Sequence, residues 1–124
     1  MASQPAIEDA APRGVRYAAW RFLLQRASAA VLAVCVVVHL ATIIYAVRHQ
    51  LTAAAIVARM HASALWPAFY TTFVVAVAIH APLGLRAIAD EWLGLRGRGA
   101  DVVLALIALV LLGGGLYAVR SLTI

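Results

Sequence analysis

The chain has 124 residues, enough for one domain, and 65% of them are hydrophobic while only 12% are charged. Since roughly a quarter of the residues of a soluble domain are charged, this composition predicts a membrane protein. The net charge of +5 comes from arginines that stand at the ends of apolar runs. Because they do not form one basic face, the charge indicates a membrane surface and argues against a nucleic acid partner.

The N-terminal segment is predicted to lie outside the membrane. Residues 1–15 are small, polar and rich in proline and glycine, which is typical of a flexible cytoplasmic tail. Residues 16–25 mix arginine with aromatic side chains, as expected of a helix at the membrane interface that continues into the bilayer. Residues 16–124 are then predicted to form a single three-helix membrane-anchor domain.

Three apolar stretches are long enough to cross a membrane. They cover about residues 27–47, 64–85 and 102–119, and at 1.5 Å per residue each spans a hydrocarbon core of about 30 Å. The predicted fold is therefore an all-α membrane protein with three transmembrane helices.

The arginines also predict the orientation of these helices. The N-terminal flank and the loop after the second span hold Arg13, Arg16, Arg21, Arg26, Arg86, Arg96 and Arg98, and the opposite side holds Arg48, Arg59 and Arg120. By the positive-inside rule, the N-terminus is cytoplasmic and the C-terminus periplasmic, as in a multi-pass protein of a bacterial inner membrane.

The two loops differ in character. In the first loop, apolar residues recur with helical spacing between Leu51 and Met60, which predicts a short interfacial helix. The second loop is rich in glycine and predicts a tight turn, after which Asp101 is expected to cap the third span. Near the other end of that span, residues 113–115 are all glycine, which indicates either close helix packing or a bend.

Two histidines, His39 and His80, lie within apolar spans. An ionisable side chain inside a bilayer is costly, so it is expected to face a partner or a ligand. Small or polar residues such as Ser28 share the face of His39, while Ala76 and Gly84 lie one turn on either side of His80. These small residues leave room for a flat macrocycle, and we interpret both imidazoles as axial ligands of haem iron. The alternative is that each histidine is a hydrogen-bonding residue between helices.

The depths of the two histidines favour two sites. Counted from the cytoplasmic ends of their spans, His39 lies about 18 Å deep and His80 about 7–8 Å deep. The two axial ligands of one iron are only about 4 Å apart. We therefore expect an outer site at His39 and an inner site at His80, each with a second ligand from a partner subunit or a second copy.

Two short motifs and the overall layout suggest a family. The motifs are QRASA at residues 25–29 and HAPLGLRAIADEW at residues 80–92, and the layout is a basic N-terminus, three spans and an arginine-rich second loop. In these features the chain resembles the cytochrome b membrane-anchor subunits of succinate dehydrogenase and fumarate reductase (succinate:quinone oxidoreductase).

This resemblance implies roles for individual residues. His80 matches the haem b ligand of the second helix, and His39 matches the first-helix ligand of members that hold two haems. Arg26 and Ser28 match residues that line the quinone pocket. Trp92 falls where other members have a tyrosine that hydrogen-bonds quinone, although tryptophan can donate only through its indole N–H.

The resemblance also implies partners. A flavoprotein subunit and an iron–sulfur subunit would dock on the cytoplasmic side, and neither their cluster-binding cysteines nor a dinucleotide-binding loop is present in this sequence. The chain would thus be an enzyme only as a subunit, without a dicarboxylate site of its own. Arg21, Arg26 and Arg86 lie at the depth where haem propionates or a quinone carbonyl need hydrogen-bond donors.

Two other functions remain open from the residues. The chain could be a non-haem structural anchor or transporter subunit whose histidines link helices. It could also be the haem b anchor of another membrane oxidoreductase, such as a hydrogenase or a formate dehydrogenase.

Overall fold

The computed structural model describes residues 13–124, and this part of the chain contains four helices and no strand. The helices are α1 (Arg13–Arg48), α2 (Ala53–Ala62), α3 (Leu65–Trp92) and α4 (Arg98–Ser121). Of these, α1, α3 and α4 are long and apolar enough to cross a membrane. The predicted all-α class with three spans is confirmed.

The first helix extends well beyond the predicted span 27–47. At 36 residues, α1 is about 54 Å long, which exceeds the hydrocarbon thickness of about 30 Å. Its first turns carry arginines stacked on aromatic rings, with Arg21 5.9 Å from the centre of the Tyr17 ring and Arg26 5.6 Å from that of Phe22. α1 begins at Arg13, so the end of the predicted tail 1–15 is helical, and residues 1–12 lie outside the described residues.

The first loop contains the predicted short helix, α2. The Thr52 hydroxyl accepts a hydrogen bond from the backbone N–H of Ala55 at 3.2 Å and caps the helix, although Leu51 lies outside it. Met60 of α2 is buried, and the helix packs against α3.

The third helix is the centre of the bundle. α3 packs against α1 on one side and α4 on the other. Apart from Met60, the buried apolar residues among those described are mainly small and lie at these two interfaces: Cys35, Ala76, Ala78, Pro82, Ala89 and Leu104. Because most larger apolar side chains are exposed on the outside of the bundle, lipid or partner subunits must cover them.

The start of α4 differs from the sequence prediction. Gly97, with φ of 118°, precedes the helix, and Asp101 lies one turn inside it. The Asp101 carboxylate makes no capping hydrogen bond but forms an ion pair with Arg86 of α3. The predicted cap is therefore wrong, because the glycine-rich turn ends earlier than expected and Asp101 meets an arginine on the neighbouring helix.

The three consecutive glycines of α4, at residues 113–115, have different surroundings. The helix continues through all three, and a Cβ at Gly115 would lie only 2.5 Å from Cγ1 of Val74 on α3, whereas a Cβ at Gly113 would meet nothing within 4 Å. For Gly115, the close-packing interpretation is correct, since its missing side chain lets α4 approach α3.

We predict that Gly115→Ala destabilises the chain by about 1–3 kcal/mol, because the added methyl group overpacks the α3–α4 interface. Detergent-solubilised chain should unfold at lower denaturant concentration. Gly113→Ala is the matched control and should be neutral or slightly stabilising. Adding Val74→Ala to Gly115→Ala should restore part of the loss, and equal effects of the two alanine substitutions would contradict the prediction.

Candidate functional site

Both histidines lie at the α1–α3 interface, and each faces a hydroxyl group on the other helix. Nδ1 of His80 on α3 is 3.3 Å from the Oγ of Ser28 on α1, which we call the inner pair. Nδ1 of His39 on α1 is 3.3 Å from the hydroxyl oxygen of Tyr70 on α3, which we call the outer pair. The sequence reasoning identified three of these four residues and did not single out Tyr70.

The spacing of the pairs follows from antiparallel packing. Ser28 and His39 are eleven positions apart on α1, and Tyr70 and His80 are ten apart on α3, so each helix presents both of its members on one face about three turns apart. The two pairs are separated by about 15 Å along the bundle. This is too far for one iron, and it exceeds the difference of about 10 Å deduced from the sequence.

The inner pair is the more enclosed of the two. Ser28 is only 7% exposed, and its hydroxyl also lies 2.6 Å from the carbonyl oxygen of Leu24 and 3.1 Å from that of Gln25. His80 is half-buried. Within residues 13–124, its Nε2 makes no hydrogen bond, so this nitrogen remains available to a ligand.

The outer pair borders a cavity of about 210 Å³ between α1, α2 and α3. The His39 ring makes edge contacts with Tyr70 and Phe73, each at 5.6 Å between ring centres. The polar side chains of the lining are His39, Thr42, Arg59 and Tyr70.

Gly84 lies one turn from His80, as predicted, but the space in front of it contains a side chain of the same protein. A Cβ at Gly84 would be 3.2 Å from Nε2 of Gln25 on α1. The Oε1 of Gln25 is buried and has no hydrogen-bond partner among the described residues. An unpaired buried amide oxygen is costly, so Gln25 is a further polar group of the inner region that the sequence reasoning did not identify.

Arg86 does not point at the histidines. Its guanidinium forms the ion pair with Asp101, while its Nε is buried without a partner in the described part of the chain. Together with Tyr17 and Arg21, this ion pair lines a cavity of about 170 Å³ between α1, α3 and α4. The cavity lies at the arginine-rich end of the bundle, which we define as the end with the start of α1 and the α3–α4 loop.

The other predicted site residues lie on outer surfaces. Arg26 is exposed and stacks on Phe22, and Trp92 is the last residue of α3 with 83% of its surface exposed. Within one chain, the structure therefore does not bring Arg26 or Trp92 to Ser28. Cys35 is a buried packing residue, as expected for a lone cysteine in an apolar span.

The sequence contained a signal for Tyr70. In an antiparallel helix pair, the residue numbers of two facing positions add up to a nearly constant value. For Ser28 and His80 this sum is 108. The residue opposite His39 should then be at position 69 or 70, where Tyr70 carries a hydroxyl group. The pairing could not be deduced before the register of the two helices was known.

Three apolar helices that enclose polar pairs at one interface define a multi-pass membrane protein. The family model described as the succinate dehydrogenase/fumarate reductase transmembrane subunit matches residues 2–115. Since the match covers most of the sequence, the chain belongs to this family, and the resemblance noted in the sequence is confirmed. A search of the curated proteins and a search of the solved structures each returned no match.

The contribution of the Arg86–Asp101 ion pair to the packing of α4 against α3 can be measured. Asp101 is largely exposed, so we predict a coupling energy of about 0.5–1 kcal/mol from a double-mutant cycle with Arg86→Gln and Asp101→Asn. The measurement is denaturant unfolding in detergent.

The Arg96–Asp90 pair is the matched control, because its arginine is 77% exposed. Coupling there should be smaller than for Arg86 and Asp101. A coupling near zero between Arg86 and Asp101 would show that the α3–α4 ion pair does not stabilise the bundle.

Proposed function

We propose that the chain is the haem-b-binding membrane anchor of a succinate dehydrogenase or fumarate reductase. It docks the flavoprotein and iron–sulfur subunits and carries electrons to or from quinone. The family match supports the complex to which the chain belongs, and it favours this proposal over an anchor of a hydrogenase or formate dehydrogenase. The arrangement of the two histidines supports the haem assignment.

The observation that carries the proposal is the environment of His80. Its Nδ1 is hydrogen-bonded to a buried hydroxyl group and its Nε2 has no partner within residues 13–124. Metal-binding histidines have this arrangement, in which one ring nitrogen ligates and the other is held by a hydrogen bond. The residues present therefore fit a haem ligand, and haem b would supply one-electron transfer inside the membrane.

Each histidine would hold haem iron together with a ligand from elsewhere. The described residues contain no group of three or more histidine, cysteine or acidic side chains that could hold a metal ion, and the two imidazoles are about 15 Å apart along the bundle. We therefore place one haem at His80 and a second at His39, with the remaining ligands contributed by a second membrane-anchor subunit or a second copy of this chain.

We place the arginine-rich end in the cytoplasm of a bacterium, below the soluble subunits, with the C-terminus of the chain on the periplasmic side. Quinone would bind near this end. Arg21 and Arg86 line the cavity there and can donate to a quinone carbonyl or a haem propionate. Arg26 and Trp92, which face outward, would reach quinone only across an interface with a partner subunit.

A second function is favoured by a specific observation. Both histidines hydrogen-bond across the α1–α3 interface, so they could simply link helices in an anchor without haem. Such a bond contributes about 0.6 kcal/mol on average in membrane bundles. A linking role requires only Nδ1, whereas an iron ligand requires Nε2, and this difference separates the two functions.

We predict that His80→Asn removes the inner haem while the α1–α3 interface remains. The asparagine amide is attached at the same position as Nδ1 and can still reach Ser28, but it has no group at the position of Nε2. The purified complex with its soluble subunits should lose part of its reduced b-type absorption. His61→Ala, in the exposed part of α2, is the matched control and should retain the full spectrum.

Two results would contradict this assignment. A wild-type complex that contains no haem would exclude it altogether. A His80→Asn complex with an unchanged haem spectrum and normal activity would show that His80 only links the helices.

The outer histidine is tested separately. We expect His39→Asn to remove one of two haems and to leave the absorption that depends on His80, because the two sites are about 15 Å apart. The haem-to-protein ratio and the redox titration of the complex measure this. If the ratio is unchanged, His39 is a helix-linking partner of Tyr70 rather than a ligand.

A further inference from the structure

The hydroxyl group of Ser28 has a defined direction of hydrogen bonding. It lies 2.6 Å from the carbonyl oxygen of Leu24, which can only accept. A serine hydroxyl has one proton, so at this short distance the proton is donated to Leu24. Ser28 is buried, and the other backbone group near its hydroxyl is the Gln25 carbonyl oxygen at 3.1 Å, which can also only accept.

The direction of that bond determines the state of His80. With its proton given to Leu24, Ser28 can only accept a hydrogen bond from the ring, 3.3 Å away. The neutral imidazole must then carry its proton on Nδ1, and Nε2 is left with a free lone pair. This is the tautomer that can bind a metal through Nε2.

We propose that Ser28 is a positioning residue that fixes the Nδ1-protonated tautomer and the ring orientation of His80. The proposal rests on the proposed function, in which His80 is an iron ligand. It gives Ser28 a role different from the quinone contact implied by the family resemblance, since the hydroxyl group is used between Leu24 and His80 and has no proton left for quinone.

The outer pair shows why this property is specific to Ser28. Among the described residues, the Tyr70 hydroxyl makes no hydrogen bond other than that with His39. Tyr70 can therefore either donate to Nδ1 or accept from it, and the tautomer of His39 is not determined. At the inner pair, the hydrogen bond from Ser28 to the Leu24 carbonyl oxygen determines the tautomer of His80.

The tautomer can be measured in the full chain in detergent micelles, independently of haem. The ¹⁵N shifts of the His80 ring, assigned by their loss in His80→Asn, distinguish a protonated from a free ring nitrogen. The spectra are recorded in mildly alkaline buffer. Wild-type chain should show Nδ1 protonated, and Ser28→Ala should show a mixture of both tautomers.

Two further variants control for structural damage. Ser28→Thr retains a hydroxyl group that can donate to the carbonyl one turn back, so it should keep the wild-type tautomer. Thr72→Ala removes an equivalent bond on α3, from the Thr72 hydroxyl to the Ala68 carbonyl at 2.9 Å, at an exposed position away from both histidines. It should leave the His80 signals unchanged.

In the assembled complex, the readout is the haem itself. Ser28→Ala removes the acceptor for Nδ1–H, which makes the imidazole a weaker electron-pair donor to ferric iron. The substitution should therefore raise the midpoint potential of the inner haem and weaken haem retention by about 10- to 100-fold. Ser28→Thr should restore both properties, and Thr72→Ala should change neither.

The outcomes separate the two proposals. An Nε2-protonated ring in the wild-type chain, or a tautomer that is unchanged in Ser28→Ala, would overturn the role of Ser28 even if haem is present. An unchanged midpoint potential in Ser28→Ala would do the same. A complex without haem whose chain shows the expected tautomer would overturn the proposed function alone.

Discussion

The register of α1 against α3 determines where the polar side chains of the membrane-spanning part lie. Once Ser28 faces His80, antiparallel packing also places His39 opposite Tyr70, and each histidine meets a hydroxyl group. A shift by one residue would rotate each partner about 100° away from its histidine. The imidazoles would then lie in an apolar surrounding without a hydrogen bond, which is costly in a bilayer. This constraint explains why small residues such as Cys35 and Ala76 fill the interface between the pairs, since they let the helices approach closely.

Much of the fold could be predicted from the sequence, because hydrophobic runs of membrane length have few alternatives to a helix. The helix in the first loop was also predictable, since its apolar residues recur with helical spacing. Details that depend on contacts between helices were not. Asp101 looked like a cap because it precedes an apolar run, yet its partner is Arg86 on another helix. Likewise, the sequence does not distinguish the three consecutive glycines at residues 113–115, and only the approach of Val74 distinguishes Gly115.

The candidate site was also predictable from the sequence only in part. The histidines could be identified because an ionisable residue in an apolar run is unusual, and the family resemblance assigned them a cofactor. Their partners could not be identified, because Tyr70 and Gln25 are ordinary residues until the register is known. Ser28 was selected for a reason based on the family, contact with quinone. In the structure it is a buried side chain between two backbone carbonyls and an imidazole.

The hydrogen-bond energies of the two pairs indicate why histidine occupies these positions. A hydrogen bond between membrane helices is worth about 0.6 kcal/mol on average and at most about 1.7 kcal/mol, and a serine side chain could provide it with fewer polar atoms to desolvate. Histidine brings a second ring nitrogen, and in His80 that nitrogen has no partner within residues 13–124. If the imidazole served only to link α1 to α3, its Nε2 would lie in the bilayer without a hydrogen bond from the described residues, which is costly. A ligand at Nε2 would offset that cost, which supports the proposed iron ligand over a role in helix packing alone.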